Sequence, residues 1–180
     1  RYPNVDKVGL QYSFPGSIAI NGGEVDAVVY GINQDFQSTT SFTLKKGRLL
    51  KKEDTRAVVV NLSTLKSIGI KTADKAINKQ VKLTIPLNKV QSNKSEISDN
   101  FTIVGVIESG AGSEVFTTDS LFTSAGVLNY QQVKVIAKDT KNISTIRKQI
   151  ESNGFQTTSL VDTLDEINKI FKFFNVILVS

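Results

Sequence analysis

The opening of the chain alternates between apolar and polar positions with the two-residue period of a half-buried β-strand. The apolar positions of the first arm share one parity: Val8, Leu10, Tyr12, Phe14, Ile18 and Ile20. An Asn-Gly-Gly run follows at residues 21 to 23, and these residues accept the positive φ angles of a tight turn. Because the alternation resumes at Val25, we predict a β-hairpin. Pro15 and Gly16 predict a bulge or bend in its first arm.

A compact strand-helix unit is predicted in the middle of the chain. Residues 57 to 60 form a short apolar run that is typical of a buried strand. Asn61 follows directly and is placed to cap a helix. Gly69 and Ile70 then predict a Schellman ending, in which Leu65 contacts Ile70.

Two further strands are predicted after this unit. Residues 80 to 85 alternate between polar and apolar side chains, and residues 101 to 107 are apolar enough for a central strand. The polar stretch at residues 86 to 100 joins them, and about 15 residues is long for a connection within a compact domain. We therefore expect this loop to be the most mobile element.

The pattern changes to strand, helix, strand in the last third of the chain. Residues 133 to 138 predict a strand, the spacing of Ile143, Ile146 and Ile150 predicts a helix, and residues 155 to 160 predict a second strand. Since βαβ crossovers are nearly always right-handed, the two strands are expected to lie parallel with the helix on one face.

The chain ends in an apolar stripe. Thr163 and Glu166 form a capping box that predicts a last helix. Its apolar positions are Leu164, Ile167, Ile170, Phe171, Phe174, Ile177 and Leu178. Residues 170 to 180 are fewer than the roughly 20 needed to span a bilayer. With no Met in the chain, we interpret both ends as boundaries within a longer polypeptide, although an ordinary C-terminal core helix explains the stripe equally well.

Composition excludes several kinds of chemistry. The 180 residues include no His and no Cys, which removes imidazole bases, thiol nucleophiles and zinc sites built from these ligands. A Ser-Lys dyad stays open at Ser113, Ser120 or Ser124, but no motif places a Lys beside them. Glycines at 110 and 112 lack the rest of a phosphate loop, so a flexible turn is expected. We predict no catalytic, metal-binding or cofactor-binding residue, and no enzyme.

The chain has a net charge of +5 and contains one dense group of basic residues. Its basic cluster consists of Lys45, Lys46, Arg48, Lys51, Lys52 and Arg56. Few aromatic residues are interleaved and no nucleic-acid-binding motif is present, so nucleic acid is not an expected partner. A solvated surface is the simplest interpretation, and attraction to an anionic lipid surface is a second.

The order of these segments resembles a known family more specifically than any segment alone. The matching phrases are Val28 to Gly31, Phe42 to Leu44, Gly47 to Leu50, Asp54, Ala57 to Asn61, Ile77 to Val81, Phe101 to Val106 and Val133 to Val135, followed by a terminal amphipathic helix. This succession resembles the extracytoplasmic core domain of MacB-type, FtsX-like ABC transporter permeases. The best matches are Gly47 with Arg48 and the strand at residues 101 to 106. Asn78 departs from the family's usual glycine, which affects only the turn there.

The resemblance implies an α+β fold in two parts. A porter-like α/β subdomain would be formed by both chain ends, residues 1 to 38 and 130 to 180. A β-rich subdomain at residues 39 to 129 would be inserted between them. The hydrophobic pattern agrees in outline but does not itself predict that the ends pack together.

The resemblance also implies a function at the cell membrane, on its extracytoplasmic side. The domain would relay cytoplasmic ATP hydrolysis into movement outside the membrane, for export or extraction of a substrate. Implied partners are the permease's own transmembrane helices, a cytoplasmic ATPase, and an adaptor or substrate protein, in a homodimeric or heterodimeric parent whose isolated domain is a monomer. The coupling candidates in the last helix are Ile167, Ile170, Phe171 and Phe174. The alternative is a secreted or wall-attached binding module that uses the basic cluster.

Overall fold

The chain forms a strand-dominated α/β fold, which a computed structural model describes over residues 4–87, 92–138, 143–152 and 175–179. The strands are β1 (Val5–Ile20), β2 (Gly23–Ile32), β3 (Thr43–Gly47), β4 (Ala57–Asn61), β5 (Gln80–Pro86), β6 (Glu96–Glu108), β7 (Glu114–Thr118), β8 (Gln132–Ala137) and β9 (Asn175–Val179). The helices are α1 (Gln34–Ser38), α2 (Leu62–Ser67), α3 (Ala73–Ala76), α4 (Ser120–Ser124) and α5 (Ile143–Ser152).

The predicted hairpin is confirmed by the pairing of β1 with β2. Asn21 and Gly22 both have positive φ, 51° and 81°, as a two-residue hairpin turn requires. The predicted bulge at Pro15 and Gly16 is wrong, because the register with β2 runs through both residues without a shift. Gly16 instead allows β5 to approach, since a Cβ there would lie 2.7 Å from the carbonyl oxygen of Thr84.

Six strands close into a hydrogen-bonded ring in the order β1, β2, β7, β4, β6, β5 and back to β1. The β2–β7 and β4–β6 pairs are parallel, and the others are antiparallel. β3 pairs with β6, while β8 and then β9 extend the sheet from the first half of β1. Closure depends on β1, whose second half pairs with β2 on one edge and β5 on the other.

Two hydrophobic clusters lie on opposite faces of the ring strands. The larger one draws on all six ring strands and adds Leu65 of α2, Phe122 of α4 and Ile146 of α5, so it fills the enclosed side. The smaller one contains Ile32, Phe36, Leu50, Ala57, Val59, Ile107 and Phe116. It lies outside the ring, beneath α1 and the connection from β3 to β4. We call residues 43–56 the outer segment.

The strand-helix unit forms as predicted. α2 follows β4 directly, and Gly69 has a φ of 80°. The amide of Ile70 donates to the carbonyl of Leu65 at 2.9 Å, and the amide of Gly69 donates to that of Lys66 at 3.2 Å. This is the double hydrogen bond of a Schellman motif, which confirms the predicted helix ending.

The loop prediction for residues 86 to 100 is only partly right. β6 already begins at Glu96 and pairs with β5 from there, because Glu96, Ser98 and Asn100 are exposed while Ile97 on the other face is buried. The connection is therefore shorter than predicted, and residues 88–91 lie outside the described part.

The C-terminal prediction is partly confirmed and partly wrong. β8 and α5 lie where the pattern predicted, while residues 155 to 160 fall outside the described residues. Asn175–Val179 is strand β9, parallel to β8, and not the end of a helix that starts a stalk. A short run rich in β-branched Val and Ile suits a strand, and such runs carry no helical period that would distinguish the two states. The remainder of the predicted helix, with all four coupling candidates, lies outside the described residues.

The division into two subdomains stays a prediction. β1 pairs with β8 within the expected terminal subdomain and with β5 of the expected insertion. One continuous sheet thus connects the two parts.

Candidate functional site

The first and last described strands leave the sheet at the same edge. Val5 of β1 lies opposite Ala137 of β8, and Val179 of β9 lies opposite Ile136 of β8. Because adjacent strands are about 4.8 Å apart, the start of β1 and the end of β9 are roughly 10 Å from each other across β8. We call this place the terminal edge. From it, β1 runs without interruption into the closed ring.

α1 is fastened to β1 by two polar side chains. The Asn33 side chain accepts from the amide of Leu10 and donates to the carbonyl of Val8, both at 3.0 Å. Asp35 accepts from the amide of Val8 at 3.2 Å. These side chains thereby continue the hydrogen bonding of β1 beyond the end of β2. The sequence interpretation missed α1 because five residues carry too little periodicity, although Asn33, a favoured N-cap residue, was a usable signal.

Lys134 of β8 contacts α1 from the side of the terminal edge. Its ammonium group donates to the hydroxyl of Thr40 at 2.7 Å and lies 4.2 Å from the ring centroid of Phe36. Burial lowers the pKa of Lys134, because a desolvated ammonium is less favourable than a hydrated one. Gly9, opposite Lys134 on β1, leaves room for this contact, since a Cβ there would lie 2.8 Å from Cα of Phe36.

Gln37 joins α1 to the outer segment. Its buried side chain donates to the carbonyl of Leu50 at 2.9 Å and accepts from the amide of the same residue at 3.0 Å. Both backbone groups of Leu50 are thus satisfied by one amide side chain, while the Leu50 side chain packs in the outer cluster.

Gly47 and Arg48 lie against the strand at residues 101 to 106, so the two sequence segments that best match the family are in contact. Gly47 pairs with Gly105, and a Cβ on Gly105 would lie only 2.0 Å from the carbonyl oxygen of Arg48. Arg48 then makes a two-bond contact with Asp54, at 2.8 and 3.1 Å. The hydrogen bond from Arg48 lowers the pKa of Asp54. The crossing of two glycines and the ion pair fix the path of the outer segment over β6.

Most of the basic cluster is paired with carboxylates. The pairs are Lys45 with Glu108, Lys46 with Asp74, Arg48 with Asp54 and Arg56 with Asp99. A cation that already contacts a carboxylate is a weaker docking point for an external anion, because that contact must be broken or shared. The geometry therefore counts against a ligand surface built from this cluster.

The turn at residues 109–113, for which the sequence suggested flexibility, is hydrogen-bonded to the side chain of Asn61. Asn61 is fully buried and its side chain donates to the carbonyls of Ser109 and Gly112 at 2.9 and 2.7 Å. Its oxygen accepts from the amides of Thr64 and Glu114, both at 3.0 Å. One side chain therefore caps α2, as predicted, and also clamps the turn. The turn borders a 640 Å³ cavity that is also lined by Val28 and Tyr30.

The predicted chemistry-bearing residues do not assemble into a reactive centre in the described part of the chain. The Ser113 hydroxyl lies 3.3 Å from that of Ser67, and the Ser120 hydroxyl lies 2.8 Å from that of Thr118. Among the described residues, acidic side chains form no group of three that could hold a metal ion. No described helix is both long and apolar enough to cross a membrane.

Comparison with known proteins identifies the class. Residues 1–153 match the model of the MacB-like periplasmic core domain. The extracellular domain of the noncanonic ABC-type transporter YknZ from Gram-positive bacteria is 18% identical with a TM-score of 0.64, over 86% of this chain and 79% of that one. The periplasmic region of MacB from Actinobacillus actinomycetemcomitans is 21% identical with a TM-score of 0.53, over 69% of this chain and 53% of that region. Among curated proteins, no significant sequence match was found.

The fold is thus that of an extracytoplasmic domain of ABC transporter permeases, which is not a catalytic domain. The chain belongs to the MacB-like periplasmic core domain family. It spans about half the length of the solved MacB periplasmic region. The resemblance seen in the sequence is confirmed.

Proposed function

We propose that this domain is part of an ABC transporter permease and transmits movement from the membrane to the extracytoplasmic side. Cytoplasmic ATP hydrolysis, by an ATPase subunit or domain, would move the permease's transmembrane helices and through them the terminal edge. The domain would convert this movement into export or extraction of a substrate.

The observation that carries the proposal is the terminal edge itself. Strands that leave the domain side by side transmit a common displacement to the sheet, whereas strands at opposite ends would stretch it. β1 has 16 residues, and at about 3.3 Å per residue it extends up to roughly 50 Å from this edge. A displacement at the edge therefore reaches the ring through a single strand.

Contact with an adaptor or substrate protein is the second part of the proposal. The 640 Å³ cavity beside the clamped turn is a candidate place for it, because its size falls within the usual range of binding pockets. The parent would work as a homodimer or heterodimer, and the isolated domain as a monomer.

Movement can be measured as a distance between two spin labels in the full permease. This domain has no cysteine, so Asp6→Cys and Glu53→Cys, both at exposed positions, introduce labels near the terminal edge and on the outer segment. We expect the distance distribution to differ between ADP-bound and ATP-trapped permease. Identical distributions in the two states, with ATP hydrolysis intact, would count against mechanotransmission.

The coupling role of Ile167, Ile170, Phe171 and Phe174 is a proposal as well. Ile170→Asp combined with Phe174→Asp should abolish the nucleotide-dependent distance change and transport. The matched control is Leu128→Asp, since this side chain is 70% exposed and lies outside the outer segment. Unchanged movement and transport in a normally folded Ile170→Asp/Phe174→Asp permease would refute the coupling role.

A further inference from the structure

α1 lies where the terminal part of the sheet and the outer segment come together. Towards the terminal edge it is bound by β1 through Asn33 and Asp35. Away from that edge, Gln37 holds both backbone groups of Leu50. These contacts make α1 a mechanical connection between the two regions.

Lys134 is the point at which β8 touches this connection. β8 is the strand between β1 and β9, so it moves with both strands of the terminal edge. The Lys134 ammonium group reaches the ring of Phe36 in α1 and the hydroxyl of Thr40, two residues after the helix ends. Within the described residues, it forms no ion pair with a carboxylate.

A contact of this kind differs from ordinary packing. A half-buried ammonium group loses hydration, so an apolar side chain against Phe36 would serve stability alone at least as well. The cation–π contact and the hydrogen bond depend on geometry and are replaced readily by water when the partners separate. They are suited to a contact that changes during a cycle.

We propose that α1 relays movement from the terminal edge to the outer segment, and that Lys134 is the positioning residue that links β8 to α1. This inference rests on the proposed mechanotransmission. The relay continues from Phe36 and Thr40 through Gln37 to Leu50, and then to the Arg48–Asp54 pair that fixes the outer segment over β6.

The test uses the Asp6 and Glu53 spin labels in the full permease. Lys134→Met keeps most of the aliphatic stem and removes the ammonium group, so the distance change between ADP-bound and ATP-trapped states should be lost while ATP hydrolysis continues. Lys134→Arg retains the cation and should retain the change. Lys82→Met is the matched control, since Lys82 is exposed on β5.

Thr40→Val provides a second variant that preserves side-chain shape, in case Lys134→Met fails to fold. It removes the hydroxyl acceptor and should reduce the distance change. The relay is overturned if folded Lys134→Met shows the same distance change as the wild type, or if Thr40→Val does so when it is the only folded variant. Mechanotransmission is not affected by that result. Absence of any change in the wild type overturns both proposals.

Discussion

One buried side chain, that of Asn61, performs two tasks, and Asn61→Ala removes both of them. As an N-cap, Asn61 accepts from the amide of Thr64. As a clamp, it donates to Ser109 and Gly112 and accepts from the amide of Glu114. Alanine removes all of these contacts.

The expected loss follows from the two tasks. Removing an N-cap costs about 1 kcal/mol. The Gly112 carbonyl is exposed and can bond to water, while the amide of Glu114 and the carbonyl of Ser109 lose a hydrogen-bond partner, which adds about 2 kcal/mol. The total of about 3 kcal/mol corresponds to a melting temperature lower by roughly 6 to 12 °C in a domain of this size.

Urea unfolding of the domain, followed by circular dichroism, measures this loss. Asn100→Ala is the matched control, because Asn100 is exposed on β6, and it should stay within about 0.5 kcal/mol of the wild type. Asn61→Asp retains the cap but directs a carboxylate at two carbonyl oxygens, so it should remain about 2 kcal/mol less stable. Wild-type stability of Asn61→Asp would refute the clamp.

Two further predictions concern the outer segment. Gly105→Ala should destabilise the domain strongly or prevent folding, because its Cβ would collide with the Arg48 backbone. The control Gly112→Ala should be neutral, because a Cβ there meets nothing within 4 Å. Equal melting temperatures of the two variants would contradict the close crossing of Gly105 and Arg48. The lowered pKa of Asp54 means that its ion pair contributes stability above the unfolded-state pKa of about 3.9 and loses it as the pH falls through the lower folded-state value. Asp54→Asn should therefore be less stable than the wild type at neutral pH, with the difference shrinking below about pH 4; a constant difference across an acid titration would show that the carboxylate charge is not responsible.

Local features were predictable because their causes are local. The hairpin turn at Asn21 and Gly22, the Asn61 cap and the Schellman ending at Gly69 each depend on residues that are close in sequence. The hydrogen bonds that hold the 109–113 turn were not predictable, for the opposite reason. They come from Asn61, which is about 50 residues away in the chain, and the sequence around the glycines does not indicate them.

The closed ring of strands could not be predicted from the local sequence pattern. Hydrophobic alternation predicts that β1 is a strand, but not that it pairs with β2, β5 and β8 at once. The last strand illustrates the same difficulty, since a short apolar run becomes helix or strand according to what lies beside it. The resemblance supplied the class of protein, while α1 and Lys134 emerged only from the three-dimensional contacts.

The side-by-side arrangement of β1, β8 and β9 has a consequence for mechanical strength. Hydrogen bonds between strands lie across the strand direction, so a force applied along β1 or β9 loads the whole β1–β8 and β8–β9 ladders in shear. All bonds of a ladder must then yield together, whereas a force across the strands would open them one at a time. A force along these strands should therefore meet more resistance than a force across them.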